Sequence, residues 1–263
     1  MAATQVGFDS NGAYDEGRPQ GIDHMTPSAL NSPISRSGAA ERVPPLHTGD
    51  RLTRAEFERR YAATPQNIKA ELVKGVVYVM GPPVSDEGHS NPHGRFVTWL
   101  GTYEAFTPGT HLGDNGTIRL DGENEYQPDS FLMILPTHGG QCRASQDDFI
   151  EGAPELIAEV AASSASYDLH DKFEAYEQCG VQEYIVWRTW DRVIEWFALQ
   201  GGKFVALSPD ENGIIKSRVF PGLWLDTHAL LSGQPARVLT VLQQGLASPE
   251  HLAFVARLES QRK

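Results

Sequence analysis

Two apolar runs in the middle of the chain predict inner strands of a β-sheet. The first reads QPDSFLMIL and the second reads PELIAEVA. Both alternating faces of each run are mostly apolar, which is typical of a strand covered on two sides. Alternation places Asp129 beside the Phe and Met side chains of the first run, and Glu159 beside Ile and Ala of the second. Each predicted strand therefore carries one acid where a plain core would have none.

A helix and a hairpin are predicted on either side of these runs. The helix covers about residues 165–179, and Asp168, Lys172 and Tyr176 share one stripe of it because they lie four residues apart. The hairpin reads KAELVKGVVYVM, with two β-rich arms around a Lys-Gly pair, and it carries Glu71. The sequence thus supplies two further charged side chains from neighbouring elements.

The remaining patterns predict a folded domain with an N-terminal tail. HGRFVTWLGTYEAF has helical spacing, the HLGDNGT run indicates a turn, and the polar segment GPPVSDEGHSNP indicates a loop. EYIVWR, RVIEWFAL, KFVAL and GIIKSRVF are predicted strands of one meander, followed by two amphipathic helices on which Leu252 is expected to face inward. Residues 1–48 are rich in Ser, Gly, Pro and Asn, which predicts a disordered tail, and residues 49–263 are interpreted as a single domain.

Composition indicates a globular protein without a membrane span. Of 263 residues, 40% are hydrophobic and 21% are charged, and no apolar run approaches the roughly 18 residues of a spanning helix. The N-terminus lacks a secretory pattern, and the two cysteines form no CxxC pair. A reducing cytoplasm is the expected location.

The charge balance bears on the partner. A net charge of −12 opposes nucleic-acid binding through phosphate neutralisation alone, which needs a basic surface. Residues 110–160 contain ten acids and two arginines, a balance that would attract a divalent cation and repel a phosphate backbone until metal is bound.

Two strand acids with a lysine from the next helix are the components of metal-assisted phosphodiester hydrolysis. A hard cation prefers carboxylate oxygens, and Lys172 could stabilise the charge that develops in the transition state. The alternative is a partly buried carboxylate–lysine pair without chemistry. His89 and His93 lie four apart, as zinc-binding helical histidines do, but Asn-Pro lies between them and no third ligand is near. His93 could instead lean toward the acids.

The sequence also resembles a known family. ELVKGVVYVMGPPV, QPDSFLMI and PELIAEVAASSASYDLHDKFEAYEQCGVQEYIVW resemble, in order and spacing, the Uma-two family of restriction endonucleases within the PD-(D/E)xK nuclease superfamily. The resemblance covers about residues 71–220. It implies an α/β fold with a restriction-endonuclease-like core, in which a central mixed β-sheet is flanked by helices.

The resemblance further implies roles for four side chains. Asp129 would be the first acid of the motif, Glu159 the second, and Glu71 an additional carboxylate, all three acting as ligands of Mg²⁺ or Mn²⁺. The superfamily pattern expects lysine two residues after the second acid, where this chain has Ala161. Lys172 on the following helix is the natural substitute.

The expected function is therefore a metal-dependent endonuclease that hydrolyses DNA and could act as a homodimer. His93 and Asp168 are secondary candidates for the site. Two alternatives stay open: a catalytically weak module that binds nucleic acid or protein, and a metal phosphoesterase that acts on a small substrate.

Overall fold

The computed structural model of the protein describes residues 43–80, 85–161 and 167–262, and only the backbone of residues 167–169. Most of the predicted disordered tail lies outside these ranges. From Val43 onward the chain forms one compact unit, and Leu46 is already buried in it. The folded part therefore includes residues that precede the expected boundary at residue 49.

The described residues form six α-helices and fourteen strands. The helices are α1 (Arg54–Tyr61), α2 (Asn91–Ala105), α3 (Tyr167–Cys179), α4 (Thr227–Leu231), α5 (Pro235–Leu246) and α6 (Pro249–Gln261). The first seven strands are β1 (Lys69–Val73), β2 (Val76–Met80), β3 (Thr110–Asp114), β4 (Ile118–Arg119), β5 (Glu125–Tyr126), β6 (Ser130–Ile134) and β7 (Arg143–Ala144). The others are β8 (Ile150–Glu151), β9 (Leu156–Ala161), β10 (Glu183–Arg188), β11 (Val193–Gln200), β12 (Lys203–Ala206), β13 (Ile214–Lys216) and β14 (Trp224–Asp226).

Two six-stranded sheets form the framework, and both mix parallel and antiparallel pairs. The first sheet has the strand order β2-β1-β5-β4-β8-β7, and the second has the order β12-β11-β10-β9-β6-β3. In the second sheet β9 and β10 are parallel, while β6 pairs with β9 in antiparallel fashion. Residues 127–129 connect β5 of the first sheet directly to β6 of the second. The α/β class and the mixed central sheet are as predicted.

The second sheet is covered on both faces, as the apolar runs predict. On one face Leu132 and Leu156 pack in a core cluster with residues of α2, α5 and α6. On the other face Phe131 and Ile157 pack in a cluster that includes Tyr176 of α3 and residues of the first sheet. Because β6 and β9 are buried on both sides, any charged group they carry must find partners inside the protein.

The hairpin and the helix that follows β9 also form where they were predicted. Lys74 and Gly75 both have positive φ, at 49° and 73°, the left-handed backbone that a tight two-residue turn requires. The Thr53 side chain accepts a hydrogen bond from the Glu56 amide and caps α1. Helix α3 ends where Gly180 adopts a φ of 86°, the left-handed conformation common after a helix.

Some local predictions were wrong. HLGDNGT was interpreted as a turn, yet its first half is strand β3, paired with β6. Gly113 serves a close approach, because an added Cβ would lie 1.9 Å from Cζ of Phe131. The polar segment before α2 contains a turn of π-helix, Asp86–Ser90. GIIK forms a separate two-stranded sheet with β14.

The C-terminal helices form, but one inward-facing residue was misassigned. Leu252 is 62% exposed, whereas Phe254 and Leu258 are buried. The inward stripe of α6 therefore runs through positions 254 and 258. None of the helices formed by the described residues is long and apolar enough to cross a bilayer.

Candidate active site

Asp129 and Glu159 lie opposite each other on neighbouring strands. Ser130 of β6 pairs with Ala158 of β9, so extending the antiparallel register by one residue brings Asp129 against Glu159. The Val160 amide donates to Asp129 Oδ2 at 2.8 Å, and the Asp129 amide donates to Glu159 Oε2 at 3.3 Å. The two predicted acids are thus adjacent, near the start of β6 and the end of β9.

Lys172 connects Glu159 to a third acid. Its Nζ lies 2.9 Å from Glu71 Oε2 and 3.2 Å from Glu159 Oε1. One turn further along α3, the Tyr176 hydroxyl donates to Glu159 Oε1 at 2.9 Å. Two residues of the predicted stripe, which lie four apart on α3, therefore supply a cation and a hydrogen-bond donor to the same carboxylate.

Glu71 comes from strand β1 of the first sheet, so the cluster lies where the two sheets meet. Its Oε1 accepts a hydrogen bond from the Gln127 amide at 2.9 Å. The backbone amides on either side of Pro128 thus donate to two different acids: the amide of residue 127 to Glu71, and the amide of residue 129 to Glu159. Proline itself has no amide hydrogen, so both backbone amides of the short connection between the sheets donate to the cluster.

Burial makes the charge of this cluster costly. The exposed fractions of Glu71, Asp129, Glu159 and Lys172 are 1%, 6%, 7% and 8%. The Lys172 ammonium group contacts two of the three carboxylates, and Asp129 contacts His89 instead, so Lys172 alone does not balance the acids. An excess of buried negative charge must be met by protons, by further donors or by a cation.

The pKa values of the two strand acids move in opposite directions. Burial raises the pKa of Glu159, and the nearby charges of Asp129 and Glu71 add to the rise, while Lys172 opposes it. Burial alone would also raise the pKa of Asp129, but the hydrogen bond and charge of His89 outweigh it, and the net shift is downward. Asp129 is therefore the acid that stays ionised, and Glu159 is the one that retains a proton more readily.

Two histidines flank Asp129. His89 Nε2 donates to Asp129 Oδ1 at 3.0 Å, and this hydrogen bond raises the pKa of His89. His93 Nε2 lies 2.9 Å from the backbone oxygen of Asp129 and 3.0 Å from Asp114 Oδ1. Because both Nε2 atoms face oxygen acceptors, both act as donors, which does not suit a zinc ligand nitrogen.

His93 does lean toward the acids, as the sequence suggested, whereas the direct contact of His89 with Asp129 was missed. The sequence did contain a signal for this contact: His89 and His93 are four residues apart, about one helical turn, so both can approach the same neighbour. Asp114 was missed because its strand was interpreted as a turn. The side chain of Asp168 lies outside the described residues.

The donor set suits a hard divalent cation in type and charge. Oxygens of Asp129, Glu159 and Glu71 would be the ligands, as the chemistry of Mg²⁺ and Mn²⁺ prefers. Within the described residues, however, no three His, Cys, Asp or Glu side chains are already gathered into a metal-binding group. Most of these oxygens instead accept hydrogen bonds from the protein, so binding a cation would replace part of that network.

Comparisons with known proteins agree with this fold. The model of the Uma2 family, described as "Putative restriction endonuclease", matches residues 54–228. The crystal structure of a putative nuclease belonging to DUF820, from Anabaena variabilis, resembles the chain with a TM-score of 0.50 at 12% identity. The alignment covers 66% of this chain and 96% of that one. No curated protein matches. The family and the nuclease-like fold together support a nuclease, and the chain belongs to the Uma2 family.

Proposed function

We propose that the protein is a Mg²⁺- or Mn²⁺-dependent endonuclease that hydrolyses DNA phosphodiester bonds, with a PD-(D/E)xK type of site. The observation that carries the proposal is the gathering of Glu71, Asp129, Glu159 and Lys172 into one buried cluster of three carboxylates and one ammonium group. A purely structural ion pair needs one acid for each lysine. Here two carboxylates contact the ammonium group and Asp129 lies beside Glu159, and three buried carboxylates so close together are costly unless they serve a cation or a substrate.

Asp129 and Glu159 would hold the cation, and Glu71 would assist directly or through a water molecule. A bound divalent ion would polarise the phosphate and make a coordinated water more acidic. The lowered pKa of Asp129 keeps this carboxylate ionised and ready to coordinate. The raised pKa of Glu159 makes it the group that would release a proton as positive charge arrives.

Lys172 would stabilise the charge that develops on the phosphate and would orient the attacking water. Its Nζ reaches Glu159 Oε1 at 3.2 Å from helix α3, which supports its use in place of the missing lysine at Ala161. Tyr176 holds the same oxygen at 2.9 Å. His89 and His93 would orient Asp129 through its side chain and backbone oxygens.

A second candidate is a metal phosphoesterase that acts on a small substrate. The net charge of −12 favours it, because a small diester needs no extended basic surface. A catalytically weak binding module would be a third outcome. We further propose a cytoplasmic protein that cuts as a homodimer, an assembly that size-exclusion chromatography at micromolar concentration would detect.

The test is nicking of supercoiled plasmid with and without Mn²⁺ by wild type, Asp129→Asn and Lys172→Ala. Lys203→Ala is the matched control, since this lysine is 77% exposed and pairs with Glu177 away from the cluster. We expect metal-dependent nicking that is lost in the first two variants and kept in the third. Unchanged nicking by Lys172→Ala would remove the lysine from its role. Hydrolysis of a chromogenic diester without plasmid nicking would favour the small substrate.

A further inference from the structure

A cavity lies beside the acidic cluster on the same face of the second sheet. Its volume is about 410 Å³, and it opens between helix α3 and strands β10 and β11. The lining residues are His170, Phe173, Tyr184, Val186, Arg188 and Phe197, with Glu195 at the rim. This volume is within the roughly 300–1,000 Å³ range of small-molecule sites.

The register of the sheet connects the cavity to the acids. Glu159 pairs with Val186 of β10, and Val186 pairs with Glu195 of β11. Directly paired residues on neighbouring strands share a face and are separated by about 5 Å. A row of neighbouring residues therefore runs from Asp129, just before β6, through Glu159 of β9 and Val186 of β10 to Glu195 of β11. The cavity therefore begins at β10, the strand next to the one that carries Glu159.

The lining is suited to a flat, uncharged aromatic ring. Phe173 contacts Tyr184 and Phe197 edge to face, with ring centroids 6.2 and 5.0 Å apart. Arg188 is not available to bind a phosphate, because Asp191 and Glu195 lie 2.9 and 3.1 Å from its guanidinium group. Aromatic surface with a carboxylate at the rim favours stacking and hydrogen bonding over phosphate binding.

We propose that this cavity binds one nucleobase of the nucleic-acid strand, next to the phosphodiester held at the acidic cluster. The inference rests on the proposed function, because the cluster is what would hold the neighbouring phosphate. An uncharged base inserted among aromatic rings would supply affinity that the acidic surface cannot supply through phosphate contacts. The same chemistry would accept a free nucleoside, so the test must distinguish the two sources.

The experiment uses the full chain with Asp129→Asn, which prevents cleavage. Single-stranded DNA dodecamers carry one 2-aminopurine at successive positions, and the fluorescence of this base falls when it stacks on an aromatic ring. We expect quenching at one position, or at two adjacent ones, along the strand. Adding Phe173→Leu should weaken the binding about 10-fold, since stacking of a base on an aromatic side chain contributes about 1–3 kcal/mol.

Phe204→Leu is the matched control. The Phe204 ring also contacts Phe173, at 5.1 Å, but it does not line the cavity. Both variants lose the same aromatic pair, so only Phe173→Leu should lose position-specific quenching. Val186→Phe provides a second test by filling the cavity, and it should abolish the quenching while thermal melting shows a folded protein.

Equal quenching in Phe173→Leu and Phe204→Leu, or quenching that Val186→Phe retains, would overturn the proposal. Quenching of free 2-aminopurine riboside without quenching in any dodecamer would assign the cavity to a small nucleoside and refute the strand-bound base. The proposed reaction is tested separately. If wild type fails to nick plasmid while position-specific quenching depends on Phe173, the endonuclease reaction falls and the base site remains.

Discussion

Replacing Lys172 by methionine tests the balance of charge in the buried cluster. Methionine keeps much of the volume but leaves Glu71 and Glu159 without the ammonium group that lies 2.9 and 3.2 Å from them. Removing one partner of a buried ion pair costs about 3–5 kcal/mol, since the remaining charge is left uncompensated. We therefore expect the free energy of unfolding at pH 8 to fall by about this amount, as measured by urea denaturation.

The cost should depend on pH in a defined direction. Burial raises the pKa of Glu159 above that of the unfolded chain, so the folded state holds a proton that the unfolded state releases, and stability declines as the pH rises through the raised pKa. Loss of Lys172 raises that pKa further, so the variant should lose more stability at pH 8 than at pH 5.

A double-mutant cycle and a matched lysine complete the design. Adding Glu159→Gln to Lys172→Met removes one uncompensated charge. The double variant should therefore lose less unfolding free energy than the two single variants lose together. Lys203→Met removes an exposed ammonium group and should leave the unfolding curve nearly unchanged. A loss under about 1 kcal/mol for Lys172→Met at pH 8, without dependence on pH, would refute the reasoning.

Three further substitutions test other parts of the site and the fold. Tyr176→Phe removes the hydroxyl that donates a hydrogen bond to Glu159. We expect the free energy of unfolding to fall by about 1.5–3 kcal/mol at pH 8 and by less at pH 5. Equal losses at the two pH values in urea titrations would contradict this. His89→Ala removes the imidazole that donates to Asp129. The resulting loss of unfolding free energy should be largest between about pH 4 and 6.5, where Asp129 is ionised and the imidazole of the wild type is charged. If the loss of unfolding free energy in His89→Ala instead grew toward pH 9, this prediction would be refuted. Gly113→Ala should cost about 1–3 kcal/mol through overpacking against a neighbouring ring, and an unchanged melting temperature would contradict the close approach.

Strand alternation and helix spacing are local properties, so the sequence alone assigns the acids and Lys172 to particular faces of their elements. Alternation placed Asp129 and Glu159 on the same kind of face, and a spacing of four put Lys172 and Tyr176 on one stripe. The register of β6 against β9, which makes the acids direct neighbours, depends on pairing across about thirty residues and has no local signal. Resemblance to a family supplied the missing long-range information.

The local predictions that were wrong concern residues whose conformation is determined by tertiary contacts. Gly113 has the composition of a turn residue, but it lies in a strand because a phenylalanine ring occupies the space of its absent side chain. His89 precedes a proline-containing helix start, where a polar loop was the simpler interpretation, and only the folded chain shows that its turn faces Asp129. Leu252 has the helical spacing of an inward residue, but the neighbouring stripe of α6 is the buried one.

The direct connection between the two sheets has a consequence for the order of folding. Glu71 belongs to the first sheet and Glu159 to the second, while residues 127–129 join them and donate an amide to each. An intermediate in which only one sheet has formed would have an incomplete cluster of acids. The proposed nuclease activity should therefore return during refolding only when the sheets dock, later than the burial of aromatic side chains within either one. Such a delay would keep a partly folded chain from damaging nucleic acid.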